Sequence, residues 1–139
     1  MNTIHKLLLI GLILLLGCSK EQTSEPAKPL TGNYVSNTFT MPDAADRSVD
    51  VQAAGGSVQM TLTDKNEYSA TLNIPQNVST VIGSGITKTY SGVFSLANDT
   101  IQLDSSGFIV SQLKWDQGNN LLESISPARG TISFVLKKE

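Results

Sequence analysis

Ser57-Val58-Gln59-Met60-Thr61-Leu62-Thr63-Asp64-Lys65-Asn66-Glu67-Tyr68-Ser69-Ala70-Thr71-Leu72-Asn73-Ile74 holds two runs of period two around a polar turn, and its reading decides the fold. Val58, Met60 and Leu62 alternate with Gln59, Thr61 and Thr63; Tyr68, Ala70, Leu72 and Ile74 alternate with Ser69, Thr71 and Asn73. A strand sends successive side chains to opposite faces, whereas an amphipathic helix repeats its apolar residues every three to four positions. The pattern therefore predicts strands with one apolar and one wet face. Asp64-Lys65-Asn66 is too short to join anything but antiparallel neighbours.

The same period runs on towards the C-terminus. Tyr90, Gly92, Phe94 and Leu96 share one face, as do Ile101 with Leu103, and Ile132 with Phe134 and Leu136. Two stretches depart from it. Gly107 to Asp116 is apolar on both faces at its start, and Leu121-Leu122 breaks the alternation, so either stretch is a candidate for a β-bulge. Further turn signals stand at Asn98-Asp99, Ser105-Ser106-Gly107, Gln117-Gly118-Asn119-Asn120 and Pro127-Ala128-Arg129-Gly130. Together they predict strands near 33–40, 57–63, 67–75, 87–97, 99–104, 108–116, 120–126 and 131–138.

The expected fold is all-β, an eight-stranded antiparallel meander that closes into a barrel and so loses its exposed edges. A two-sheet β-sandwich is the alternative, because alternation alone does not encode closure. In such a meander the connections alternate between ends. The turns near 64–66, 97–99 and 116–120 fall at one end together with the start of the domain. The long connections Met41 to Ser57 and Gln76 to Ile86 fall at the other, which makes that end the looser mouth.

Ahead of the domain, Met1 to Lys6 is short and polar, and Leu7 to Leu16 is an unbroken run of Leu, Ile and one Gly. Ten apolar residues suit a signal peptide and fall short of the ~20 that span a bilayer as a helix. The run ends in Leu15-Leu16-Gly17-Cys18, which resembles the lipobox of bacterial lipoproteins. The resemblance implies cleavage before Cys18, acylation of its sulfur and freed amine, and a place in the cell envelope. At roughly 0.8 kcal/mol per buried CH₂, a multiply acylated cysteine is a lasting anchor. Ser19 in the next position resembles lipoproteins sent to the outer membrane. The expected organisation is a signal peptide over 1–17, a lipidated cysteine and tether over 18–31, and a β domain over 32–139. The tether's twelve residues from Ser19 to Leu30 reach at most about 40 Å.

The composition excludes whole classes of chemistry. The only histidine, His5, and Lys6 lie in the signal, and the only cysteine is Cys18. The domain then has neither imidazole nor free thiol, so Ser-His-Asp and Cys-His nucleophile systems and ordinary zinc sites have no residues to use. No catalytic residue and no cofactor is expected. After cleavage nine basic residues face twelve acidic ones, a net charge of −3 with no basic patch for nucleic acid. Asp43, Asp46 and Asp50 follow Pro42 in what reads as a short helical turn, but their spacing is not that of an EF-hand and a solvated loop is expected. Glu67 and Glu123, the glutamates of the predicted strands, are expected on the surface and not as an acid–base pair.

The inward residues Met60, Leu72, Tyr90, Phe94, Trp115 and Phe134 are the candidate lining of a small apolar pocket, with space left by Ala70 and Gly92. Val78, Val81 and Ile82 are the candidate mouth residues, expected to fold inward as a plug. In architecture Gly32 to Glu139 resembles the lipocalin-like or calycin barrels. Gly32-Asn33-Tyr34 stands where those proteins carry Gly-x-Trp, and Arg129 lies near their arginine. Tyr in place of Trp departs from the pattern. The resemblance implies binding of a small hydrophobic ligand. The alternative is a protein-interaction module, an inhibitor or envelope-assembly accessory, acting through the loops of the mouth.

Overall fold

The computed structural model describes residues 29–43, 45–78, 85–104, 108–125 and 132–139. The signal segment, Cys18 and the tether up to residue 28 lie outside the described residues, as do Val81, Ile82 and Arg129. The strands are β1 (Gly32–Pro42), β2 (Ser48–Asp50), β3 (Ser57–Leu62), β4 (Glu67–Ile74), β5 (Ile86–Ala97), β6 (Thr100–Leu103), β7 (Gln112–Asp116), β8 (Leu121–Ser124) and β9 (Ser133–Lys138). β1 and β3 to β9 pair in chain order, and β9 pairs back on β1. The barrel is closed, and the two-sheet sandwich is excluded by that last pairing.

Closure follows from which side chains the alternation sends inward. Val58, Met60, Leu62, Tyr68, Ala70, Leu72 and Ile74 are all buried, and their neighbours Gln59, Thr61 and Ser69 are exposed. β6 to β9 contribute Ile101, Leu103, Leu113, Trp115, Leu122, Phe134 and Leu136 to the same core. The turns at the entry end are built from residues that tolerate positive φ: Asn66 at 59°, Asn98 at 49°, Asp99 at 60° and Asn120 at 55°. Asn98-Asp99 is the two-residue hairpin whose twist matches its strands, since both central residues have positive φ.

Several expectations are corrected. The register shift lies in β1 between Ser36 and Thr38, whereas β7 and β8 pair without one. Beyond it β1 leaves β3 and takes β2 as its neighbour, with Thr40 opposite Asp50 and Pro42 opposite Ser48. The segment of Asp43, Asp46 and Asp50 is thus a hairpin with a three-residue strand, not a helical turn. The hairpin returns through Val51, fully buried, whose N–H bonds the Phe39 carbonyl at 2.9 Å. At the bulge the buried Ser36 hydroxyl accepts the Val58 N–H at 3.1 Å, replacing a carbonyl that has moved away.

β5 is the second irregular strand. Its residues Ile86 to Val93 pair with β4, whereas Phe94 to Ala97 pair with β6, so each half has one flank without a partner strand among the described residues. Leu96, predicted inward, is 45 % exposed because β4 begins at Glu67, opposite Val93, and no strand of the described residues covers its far side. The strand predicted over 108–116 begins only at Gln112; residues 108–110 leave the wall.

Candidate functional site

The residues named as pocket lining do face the barrel interior. Met60, Leu72, Phe94, Trp115 and Phe134 are buried, and Tyr90 is half-buried. What sequence reasoning missed is the residue that meets them. Phe108, on the β6–β7 connection, turns its ring into the mouth, 5.1 Å from Tyr90 edge-on, 6.1 Å from Phe134 and 6.3 Å from Tyr68. Val110 behind it is 6 % exposed, and Ile109 also packs on the core. The signal was present as the doubly apolar start of the 107–116 stretch, which a strand would not need.

The space expected at Gly92 is occupied as well. A methyl group on Gly92 would fall onto the Asp104 carboxylate, which lies over that glycine, and Ala70 is buried between its strand partners Met60 and Tyr90. Val78 is half-buried against the core, its N–H bonded to the Pro75 carbonyl at 3.1 Å. Phe108 to Val110 also close the mouth, while Val81 and Ile82 of the expected plug lie outside the described residues. One buried donor of the interior, Trp115 Nε1, has no acceptor among the described residues, nor does Gln52 Oε1 at the β2 hairpin find a donor.

At the entry end Tyr34 fills the barrel base, 1 % exposed, and its hydroxyl donates to the Leu30 carbonyl. This is the position where the calycin resemblance expects Trp. Burial pushes its phenol up to about 12. An unfolded chain releases that proton near pH 10, so the folded state keeps its full advantage below 10 and loses it as pH rises to about 12, by up to about 3 kcal/mol. Urea midpoints measured from pH 9 to 12 are expected to fall steeply for the wild type and less steeply for Tyr34→Phe. Equal slopes would mean that the hydroxyl is not sequestered.

The acidic residues serve their own loops. Asp43 accepts from the Ala45 and Arg47 N–H groups and pairs with the Arg47 guanidinium at 2.7 Å, and these bonds from Arg47, then Ala45, hold its carboxyl below the usual range. Asp50 accepts from Ala53 N–H at 2.9 Å. Among the described residues no three His, Cys, Asp or Glu side chains cluster closely enough to share a cation. Glu67 and Glu123 are exposed on separate strands, β4 and β8, and border different grooves.

Grooves on the outer wall of the described residues include three of similar size. One of about 280 Å³ runs over Asn33, Val35, Gln59, Thr61, Ser69, Thr71 and Glu139, and is mostly polar. A second, of about 390 Å³, is bordered by Lys114, Asp116, Leu121, Glu123 and Val135. The third, of about 460 Å³, lies between Thr63, Glu67, Ser69, Ser91 and Val93, where Val93 is 55 % exposed. Comparison with protein-family models, with curated proteins and with solved structures finds no match to this chain.

Proposed function

We propose that this protein is a lipid-anchored envelope lipoprotein whose filled β-barrel serves as a protein-interaction module through the end remote from its anchor. One observation carries this choice over the carrier reading: Phe108 occupies the mouth against Tyr68, Tyr90 and Phe134, where a small apolar ligand would have to enter. The lipobox supports the anchor, and the entry of the chain beside Leu30 at the base supports the orientation.

The anchor predicts that a metabolically incorporated palmitate analogue labels the wild type, and that Cys18→Ala is unlabelled and leaves the membrane fraction. Labelling of Cys18→Ala would remove the anchor from the proposal. The interaction reading predicts that a photo-cross-linking side chain at Ile125, exposed beyond the end of β8, captures a protein, whereas one at Leu96, exposed at the base, does not. A native mass spectrum of the membrane-purified chain carrying a few hundred daltons of non-covalent mass would overturn it in favour of the carrier.

The plug is tested separately. Phe108→Ala is expected to cost about 1.5–3 kcal/mol, less than a fully buried Phe, and to let the barrel take up a hydrophobic fluorescent dye that the wild type refuses. Equal dye uptake by both proteins would mean that the mouth is already open.

A further inference from the structure

The upper half of β5 carries a free hydrogen-bonding edge. Asp104 N–H bonds the Val93 carbonyl at 3.0 Å, and Phe94 N–H bonds the Asn66 carbonyl at 2.8 Å on the opposite flank. Odd-numbered residues of β5 thus direct their backbone groups towards β6, and even-numbered ones towards β4. β6 ends at Leu103 and Phe108 lies in the mouth, while β5 extends back to Ile86. Thr87, Thr89 and Ser91 are left facing outwards on that flank, exposed, with no strand of the described residues beside them. Barrels ordinarily abolish such edges, and an open one accepts an added strand.

The side chains along this edge say which strand fits. Lys88 is the sole charge on β5, and with Tyr90 and Gly92 it shares the face of Leu72, Ala70 and Tyr68. Over Gly92 lies the Asp104 carboxylate. The edge therefore reads cation, aromatic ring, anion, so that a reversed copy centred on Thr89 sets each cation beside a ring and diagonal to an anion.

We infer that the free edge of β5 is a self-association surface, on which Thr87 to Ser91 pairs antiparallel with the same residues of a second copy. Thr89 then sits opposite Thr89 of the second copy, and Thr87 opposite its Ser91. All three residues with unpaired backbone groups become bonded on each side. Lys88 lies across from the second copy's Tyr90, within cation–π reach, and diagonally from its Asp104, a separation a lysine side chain spans. A two-fold axis through Thr89 makes the contact isologous, so it closes at a dimer and leaves no further edge to propagate. The pairing turns the two barrels end for end; twelve residues between Cys18 and Thr31, reaching at most about 40 Å, let both anchors meet one membrane. Confinement to that membrane raises the effective concentration of a short interface.

The test uses the full lipidated chain, whose sole native cysteine is Cys18. Thr89→Cys in membranes under mild oxidation is expected to give a disulfide-linked dimer, and Ser95→Cys, on the half of β5 already covered by β6, none. In detergent solution, sedimentation is expected to show a monomer–dimer equilibrium weakened at least tenfold by Thr89→Pro. That proline removes an edge N–H which the barrel itself does not use, so its folded circular dichroism spectrum is retained. Lys88→Glu is expected to weaken the dimer, and the double exchange Lys88→Glu with Asp104→Lys to restore it. A chain that remains monomeric at all concentrations, a dimer insensitive to Thr89→Pro, or no cross-link at Thr89 would each overturn the inference.

Discussion

Phe134→Ala is expected to lower the stability of the barrel by about 3–5 kcal/mol, the range for deleting a fully buried phenylalanine. Phe134 has no exposed surface, and it joins three parts of the core. Across β1 it faces Phe39, also fully buried, through the pairing that closes the barrel. Above it sits Phe108 at 6.1 Å, so the plug rests on its ring. On the β8 side its N–H is held by the buried Ser124 hydroxyl at 2.9 Å. The truncation therefore removes transfer energy and leaves a void that neither the closed wall nor the plug can collapse into fully. Against a typical total of about 5–15 kcal/mol this is a large fraction, with a fall in melting temperature of about 15 °C. Urea denaturation checks it, with Phe134→Leu as the control that keeps most of the volume and costs under about 1.5 kcal/mol. A loss below 1 kcal/mol for the alanine variant would mean that the seam between β9 and β1 is not closed by packing as described.

The contrast between Phe134 and Phe108 shows where the sequence was legible and where it was not. Phe134 stands in a run of alternating residues, and alternation is a local property: once Leu136 and Ile132 are apolar and Ser133 is not, the inward face is set. The same logic placed Met60, Leu72, Tyr68 and Trp115 correctly, and the Asn and Asp turns placed the base. Phe108 lies in an apolar triplet without alternation, Phe108-Ile109-Val110, and its burial depends on a mouth built by β4, β5 and β9. Whether Gly92 leaves a space was likewise not readable, because the carboxylate that fills it comes from Asp104 on the next strand's end. The strand β2 escaped for a different reason: three residues, Ser48-Val49-Asp50, contain only one apolar position and cannot display a period. The expected barrel interior was thus found, but its occupancy was decided by loops, and that is what moves the functional reading from a carried ligand to the barrel's surface.

The β2 hairpin also sets the second large effect, at Gly56. Here β1 has left β3, and the chain from Val51 to Gly56 must bring the hairpin back against the wall, with Gly56 N–H bonded to the Val51 carbonyl at 2.8 Å. A Cβ built on Gly56 would stand 2.9 Å from that carbonyl oxygen and 2.9 Å from the Asn73 carbonyl oxygen of β4, and closer still to the Val51 side chain. Two of the three neighbours are backbone atoms of the barrel, and the third is a fully buried valine, so none can swing aside. Gly56→Ala must therefore push the hairpin off the wall, and with it Val51 out of the core and Gln52 from its bond to the Ser36 carbonyl. The expected cost is about 3 kcal/mol or more, at or beyond the upper end for overpacking. Gly55 next to it separates this steric cause from backbone freedom. At φ +90° it has nothing within 4 Å of its added methyl, so Gly55→Ala bears strain alone and is expected to lose only about 1–2 kcal/mol. Urea midpoints of the two alanine variants give the ordering directly. If Gly55→Ala proved the more damaging, the hairpin would be held by its turn conformation and not by its fit between β1 and β4.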